Sequence, residues 1–421
     1  MKLLWITNFL FPEISEAIGI KHKYPNGWTY SAARLLQESN EYEFAVAALG
    51  PVNELIKKEI GSFTYYVLPE TRKTGKTYQN YIGRYFQQIN EDFKPDVVHL
   101  YGTEYPHSYA YLQTNKSNVV ISLQGLVSAY AKYFLGGISY RDVYKNLTFH
   151  DFVRKNLLQQ QNDFIEKGKK EIKCIKAVSY IEGRTSWDKA ISTTINPNAQ
   201  YFYCPRILRD VFYSSKKWDF NYCNKYTIFI SQSHYPIKGG HKVFEALPIV
   251  KRKYPEARII VGGVSCTNHT TIKEKLYYSG YGKYLNNLVR DLGIEDSIFY
   301  TGPLNAIQMC EQYLKCHVFV CSSSIENSPN SVAEAQILGT PLISSFTGGV
   351  PDMITHGKNG YLYRFEEVEM LASLICDIFS MNDYTELSTN EIETATLRHD
   401  KVTIINTLKS LYSKIYKETH Q

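Results

Sequence analysis

The chain has 421 residues, 44% of them apolar and 21% charged, which is the composition of a globular protein long enough for two or three domains and excludes collagen, disorder and a membrane bundle. Its net charge, 47 − 41 = +6, is spread too thinly to demand nucleic acid, yet it suits an anionic ligand or an anionic membrane face. Eight scattered cysteines without a C-x-x-C pair exclude a disulfide framework or zinc site and read as reduced thiols.

The chain opens on Met1-Lys2-Leu3-Leu4-Trp5-Ile6, which has the look of a leader, but Thr7-Asn8 cuts the apolar run short, so a first buried strand is expected. Residues 3–6, 44–49, 97–100 and 119–123 read as buried strands, with a helix over 29–39. Strands alternating with helices imply a parallel, doubly wound sheet. Residues 130–144, rich in tyrosine, read either as packing or as one wall of a binding site. Residues 157–176 read as a long basic helix, either a solvated face or a contact with an anionic membrane. Residues 206–225 lack periodicity and read as a linker.

The pattern then restarts. Strands are expected over 227–230, 258–261, 298–300, 317–320 and 341–344, and helices over 242–253, 285–292, 307–315 and 332–338. Residues 402–416 carry apolar side chains at helical spacing. The expected domains are therefore 1–205, a linker 206–225, a second domain 226–395, and a terminal helix 396–421 packing back on the first domain. Two doubly wound α/β domains facing a central cleft would bind ligand beyond the carboxyl ends of their strands. No stretch nears the ~18 apolar residues of a bilayer span, so the expected location is cytoplasmic.

Several motifs are missing: G-x-G-x-x-G after a first strand, G-x-x-x-x-G-K-[ST], G-x-S-x-G, an Asp-x-Asp clamp and any metal-ligand spacing of histidines. No metal and no cofactor are expected. The informative stretch is 321–352, CSSSIENSPNSVAEAQILGTPLISSFTGGVPD. A strand leads into a polar turn carrying Glu326. Pro329 then stands near the start of a helix that Ser328 or Asn330 can cap, and Gly339 ends it. The helix N-terminus is a ready anion site. Glu334 lies eight residues after Glu326. Two carboxylates beside an anion site fit a ligand with a diol on either side of a phosphate. Gly348-Gly349 permits close backbone approach to that ligand.

The E-x7-E spacing, followed by Gly339-x-Pro341 and Gly348-Gly349-x-Pro351, resembles the retaining glycosyltransferases of family 4. Lys94–His99 and His399-Asp400 also fit. The resemblance implies the GT-B fold and a nucleotide-sugar donor, UDP- or GDP-linked, as co-substrate. It implies that Glu326 binds donor-sugar hydroxyls, Glu334 the ribose, and the N–H groups around Asn330 and Ser331 the diphosphate. Lys238, in Tyr235-Pro236-Ile237-Lys238-Gly239-Gly240, matches the diphosphate lysine. Asn26-Gly27 matches the glycine loop of the first domain. His107, in Gly102–His107, stands beyond a strand end and reads either as a polar loop histidine or as a contact to acceptor or sugar.

Three departures accompany the match. Gln232 stands where the family carries an arginine, so one of two cations is missing, with His234, Lys242 and Arg206 as unranked replacements. Gln124 stands where many relatives have a histidine. Asn26-Gly27 replaces a double glycine. The implied partners are the donor and a glycan or lipid-linked acceptor, with no nucleic acid. The implied setting is bacterial capsule, exopolysaccharide or lipopolysaccharide synthesis, with a peripheral contact at the inner membrane face. The competing functions are a sugar-nucleotide epimerase on the same scaffold and a catalytically silent nucleotide-sugar-binding protein.

Overall fold

The computed structural model describes residues 1–20, 27–265 and 278–420. The chain splits into two compact units. The first gathers Met1–Ser128, Ile165–Arg209 and His399–Gln421, and the second Ala129–Phe164 and Asp210–Arg398. These differ from the contiguous domains 1–205 and 226–395 expected from sequence, because 129–164 joins the second unit.

The first unit holds β1 (Lys2–Ile6), β2 (Glu43–Gly50), β3 (Ile56–Ile60), β4 (Phe63–Pro69), β5 (Val97–Tyr101), β6 (Val119–Ser122), β7 (Tyr180–Gly183) and β8 (Gln200–Tyr203), in the order β3-β4-β2-β1-β5-β6-β7-β8. Every pair is parallel except β3 with β4. β1 is central, and Leu3, Leu4, Trp5 and Ile6 are buried, as a strand covered on both faces requires. β3 is an edge strand whose Lys57, Lys58 and Glu59 are exposed, charges that discourage further pairing. The closing helix Lys401–Thr419 is capped by Asp400, whose carboxylate accepts from Thr403 N at 2.7 Å. It lies in this unit, with Ile404, Leu408, Leu411 and Ile415 buried and the Tyr412 hydroxyl 2.7 Å from His99 Nδ1.

The second unit holds β9 (Thr227–Ile230), β10 (Arg258–Val261), β11 (Ile298–Tyr300), β12 (Val318–Cys321), β13 (Leu342–Ser345) and β14 (Tyr361–Tyr363), all parallel, in the order β11-β10-β9-β12-β13-β14. The winding runs outward from β9 to one edge and from β12 to the other. The crevice beyond the carboxyl ends of β9 and β12 is thus a topological switch point, the place where such sheets take ligands. Helix Asn330–Leu338, next to it, is buried from Val332 to Leu338 and is correspondingly apolar all round apart from Glu334 and Gln336.

The expected linker 206–225 is instead largely packed structure. It contains helix Asp210–Ser214 with Phe212 buried, and Trp218 is buried with its indole donating to Cys316 O at 2.8 Å. Lys217 Nζ reaches Ile337 O at 2.8 Å, a cation on the C-terminal carbonyls of helix Asn330–Leu338. The basic helix runs over Leu157–Ala177. The seven described cysteines are free, and Cys266 lies outside the described residues. Among the described residues no helix is long and apolar enough to cross a membrane.

Candidate active site at a topological switch point

β9 ends at Ile230 and passes through Ser231, Gln232 and Ser233 into a tight turn, Pro236–Lys238, and then helix Gly240–Lys251. The turn requires glycine next. Gly239 has φ +63°, and a Cβ there would collide with the carbonyl of Ser322. That collision point is the contact that builds the site, because it lays the Lys238 turn directly on the loop after β12. Ser322 Oγ donates to Lys238 O at 3.0 Å, and Ser324 N donates to Ile237 O at 2.7 Å.

Lys238 and Glu326 are therefore neighbours. Nζ and Oε1 are 2.5 Å apart, with side chains 25% and 11% exposed. Ser323 Oγ donates to the same carboxylate oxygen at 2.8 Å. Burial works against the ammonium charge, but the Glu326 carboxylate outweighs it and holds Lys238 above its ordinary range. His234 is pushed the other way, by burial first and by the Lys238 charge second, so it is a neutral imidazole and no second cation.

The Glu326 loop is braced from two sides. Gly348, at φ +51°, comes so close that a Cβ would strike Glu326 O, and Gly349 N donates to that oxygen at 3.0 Å. The glycine pair thus serves the approach of backbone to the Glu326 carbonyl, where the sequence suggested approach to a ligand. From the other side Asn327 N donates to the Tyr130 hydroxyl at 2.9 Å, and Ser324 Oγ to Tyr133 O at 2.9 Å. Residues 129–164 therefore support the site loop.

Helix Asn330–Leu338 begins two residues further on. Pro329 is its N-cap, and no side chain caps it. Ser328, one of the two expected caps, sends its hydroxyl to Met353 Sδ at 3.6 Å. The first-turn N–H groups of Asn330 and Ser331 are those a helix leaves unpaired, and they carry the positive end of its dipole. A pocket beyond the sheet joins these parts. Ile230, Ser231 and Gln232 line it from β9, Val320, Cys321, Ser322 and Ser323 from β12, with Lys238, Glu326 and Ser331 completing it. Such a lining can hold an anion against Lys238 and helix N–H groups while Glu326 accepts from hydroxyls.

Glu334 does not line that pocket. It is buried one turn into the helix, with the Tyr313 hydroxyl 3.4 Å from Oε2. Of the three unranked replacements for the missing arginine, Lys242 pairs with Glu245 at 2.9 Å on its own helix. Arg206 belongs to the first unit, bound to Glu182 and Ser122 and stacked 4.4 Å over Trp28. Burial opposes the Glu182 charge, but Arg206 and His99 hold it well below the usual carboxylate range.

The first unit holds the remaining candidates. Gly27 is the N-cap of helix Trp28–Gln37, in extended backbone, with the Phe9 ring 3.3 Å from where a Cβ would stand. Its partner in the expected glycine loop, Asn26, lies outside the described residues. Gln124 follows β6, half-buried, and its carbonyl accepts from Arg184. His107 is buried on helix Pro106–Tyr111, stacked on Tyr105, and burial pushes its imidazole down to about 4. Sequence reasoning missed Ser323 and Tyr130, which position Glu326, and Glu104. Glu104 follows β5 at the switch point of the first sheet, pairs with Asn8 at 3.4 Å, and is raised by burial to about 7. Its place just beyond a central strand end was the signal available for it.

Two Rossmann-like sheets, the second with a polar pocket at its switch point, define a protein of the GT-B fold class. Residues 214–397 match the model of the glycosyl transferases group 1 family. Through this stretch, less than half of its length, the chain is similar to the group 1 glycosyl transferases. It is 28% identical over 152 residues to spore coat protein SA of Bacillus subtilis, covering 36% of this chain and 38% of that protein. It is 31% identical over 134 residues to the sulfoquinovosyl transferase SQD2 of Arabidopsis thaliana, covering 31% and 23%. The matches thus span well under half the length of these curated relatives. Among solved structures, sucrose-phosphate synthase of Thermosynechococcus elongatus shares the fold at a TM-score of 0.68, with 12% identity and 99% of each chain covered. Anabaena HepE in complex with UDP shares it at 0.65, with 15% identity over 98% of this chain and 100% of that one.

Proposed function

We propose that this chain is a retaining, metal-independent glycosyltransferase. It moves a sugar from a UDP- or GDP-sugar to a hydroxyl of a glycan or lipid-linked acceptor, in cell-surface polysaccharide synthesis at the inner membrane face. The observation that carries the reading is the Lys238–Glu326 pair, set beside an uncapped helix N-terminus in a polar switch-point pocket. Related proteins supply the substrate classes. HepE is solved with UDP, and a mycobacterial relative is named a GDP-mannose-dependent phosphatidylinositol monomannoside mannosyltransferase.

In the reaction the bond from the anomeric carbon to the diphosphate breaks, and the acceptor oxygen bonds to the same face of that carbon. The acceptor's proton passes to the departing phosphate oxygen. The chain's task is to hold the developing negative charge, and Lys238, once the donor sugar draws Glu326 away, does so with the N–H groups of Asn330 and Ser331. Gln232 adds a neutral hydrogen bond. Glu326 accepts from the donor sugar, and Glu334, which lies outside the pocket, is assigned to the ribose by resemblance alone. Gly27 and Gln124 are assigned to the donor by resemblance alone, and His107 to acceptor or sugar by its place beyond a strand end.

Nucleotides and nucleotide sugars are screened by thermal shift, where the true donor raises apparent stability by mass action. With that donor, Lys238→Ala and Glu326→Ala are expected to abolish transfer with the fold intact. Full turnover by either variant rejects the assignment. The second reading, a silent nucleotide-sugar-binding protein, draws on Gln232 in place of a second cation. It is distinguished by ligand binding without release of sugar.

A further inference from the structure

Residues 140–153 form a surface turned inside out. Tyr140, Tyr144, Phe149, Phe152 and Val153 are 63%, 61%, 67%, 78% and 66% exposed. Tyr140 and Tyr144 are four apart on helix Tyr140–Lys145, and Phe149, Phe152 and Val153 are three and four apart on helix Phe149–Val153, so each set shares one helix face. Helices this short do not stand alone. What holds them is polar and faces inward. Asn146 and Asp151 are buried, and Asn287 Nδ2 donates to Asn146 Oδ1 at 2.8 Å. Gly280 N donates to Asp151 Oδ1 at 3.2 Å, and Thr148 Oγ1 to Tyr278 O at 2.6 Å. The segment is fastened by hydrogen bonds to helix Gly280–Leu292 and its lead-in, while its aromatic side chains are left in water.

The charges are sorted in the same sense. Both carboxylates of the segment are engaged locally, Asp142 with the Ser139 hydroxyl at 2.6 Å and Asp151 inside. Arg141, Lys145 and Arg154 are exposed and make no ion pair among the described residues. An exposed aromatic cluster ringed by unanswered cations fits the interface of an anionic bilayer. There Phe enters the acyl boundary, Tyr sits at headgroup level, and each cation gains from the surface potential. A second copy of the chain fits less well, since a twofold contact would set these cations against their own equivalents.

We propose that residues 140–153 are a membrane-docking surface for anionic phospholipid. This deepens the lipid-linked-acceptor reading and rests on it for its biological purpose, but its test is separate. The full chain is sedimented with vesicles of phosphatidylglycerol and phosphatidylcholine in equal parts, and with phosphatidylcholine alone. The expected result is salt-sensitive binding to the first and little to the second. The double variant Phe149→Ser/Phe152→Ser should lose that binding. The triple variant Arg141→Gln/Lys145→Gln/Arg154→Gln should lose about fivefold per charge removed, roughly 100-fold in all. Because every substituted side chain is exposed, melting temperature and nucleoside-diphosphate binding should not move. The proposal is overturned if the native chain ignores the anionic vesicles, or if both variants bind them as the native chain does. It is also overturned if the native chain dimerises through this face, shown by monomeric Phe variants without any vesicle binding. Vesicle binding without sugar transfer refutes the glycosyltransferase reading alone, and transfer without vesicle binding refutes this surface alone.

Discussion

Replacing Glu326 with glutamine should tighten the binding of a bare nucleoside diphosphate while slowing transfer. The substitution keeps shape, and the Ser323 hydroxyl can still donate to the amide oxygen, so the loop should hold. What changes is the competition for Lys238, whose ammonium lies 2.5 Å from the carboxylate. A phosphate oxygen arriving at Nζ would stand roughly 5 Å from the Glu326 charge. The repulsion is about 1 kcal/mol in a water-like medium and about 3 kcal/mol at the effective dielectric of a protein surface. With the Lys238 side chain 25% exposed, the lower figure applies, and affinity should rise about fivefold. Transfer should fall about 10- to 100-fold, because hydrogen bonds from sugar hydroxyls to a carboxylate contribute roughly 1.5–3 kcal/mol. Titration calorimetry with UDP and GDP reads the first effect, and steady-state release of nucleoside diphosphate reads the second. If Glu326→Gln binds the diphosphate no better than the native chain, Glu326 does not contest Lys238 and the reasoning fails.

Gly239→Ala places a Cβ in a left-handed conformation and against the Ser322 carbonyl, so a loss of about 3 kcal/mol or more is expected, read as a lower urea midpoint together with lost nucleotide binding. Glu182→Gln leaves Arg206 charged and buried, and should cost about 3–5 kcal/mol by the same measure. His107 is buried as a neutral imidazole with its proton affinity down to about 4, against 6.5 ordinarily. The unfolded chain takes up that proton first as pH falls, so the stability His107 contributes is complete above pH 6.5 and is lost toward pH 4. Urea midpoints across this window should fall less steeply in His107→Asn, and an unchanged slope would place the titration elsewhere.

The second unit was legible from sequence because its strands are short apolar parallel runs, fully buried at β9, β12 and β13. Residues 227–230, 258–261 and 298–300 coincide with β9, β10 and β11, the expected strands 317–320 and 341–344 lie one residue ahead of β12 and β13, and β14 was not expected. The first unit was read less completely. β3 is a charged edge strand without an apolar run, and β4, β7 and β8 were not expected either, β7 carrying the buried Glu182 and β8 opening on the exposed Gln200. Lys238, Glu326 and the uncapped helix start were visible as local chemistry. The brace from Tyr130 and Tyr133 was not, because it joins residues nearly 200 positions apart. The same long range hid the true membership of 129–164, since compactness is a property of tertiary contacts and leaves no mark on local composition.

The charge balance of the pocket follows from these placements. Its one lysine is answered by its one carboxylate, so the side chains lining it sum to no net charge. The absent arginine at Gln232 is therefore more than a weaker grip. With two cations, a diphosphate would find surplus positive charge whether or not a sugar were attached. With Lys238 alone, the surplus must come from the dipole of helix Asn330–Leu338, roughly half a unit charge, and from Glu326 turning to another partner. On the proposed reading a sugar supplies that partner, because its hydroxyls donate to the carboxylate and leave the ammonium to the phosphate. An intact nucleotide sugar satisfies both halves of the pair, whereas a bare diphosphate satisfies one and repels the other. The substitution at Gln232 thus shifts discrimination from charge toward the presence of the sugar, and would speed departure of the spent diphosphate once the sugar has gone.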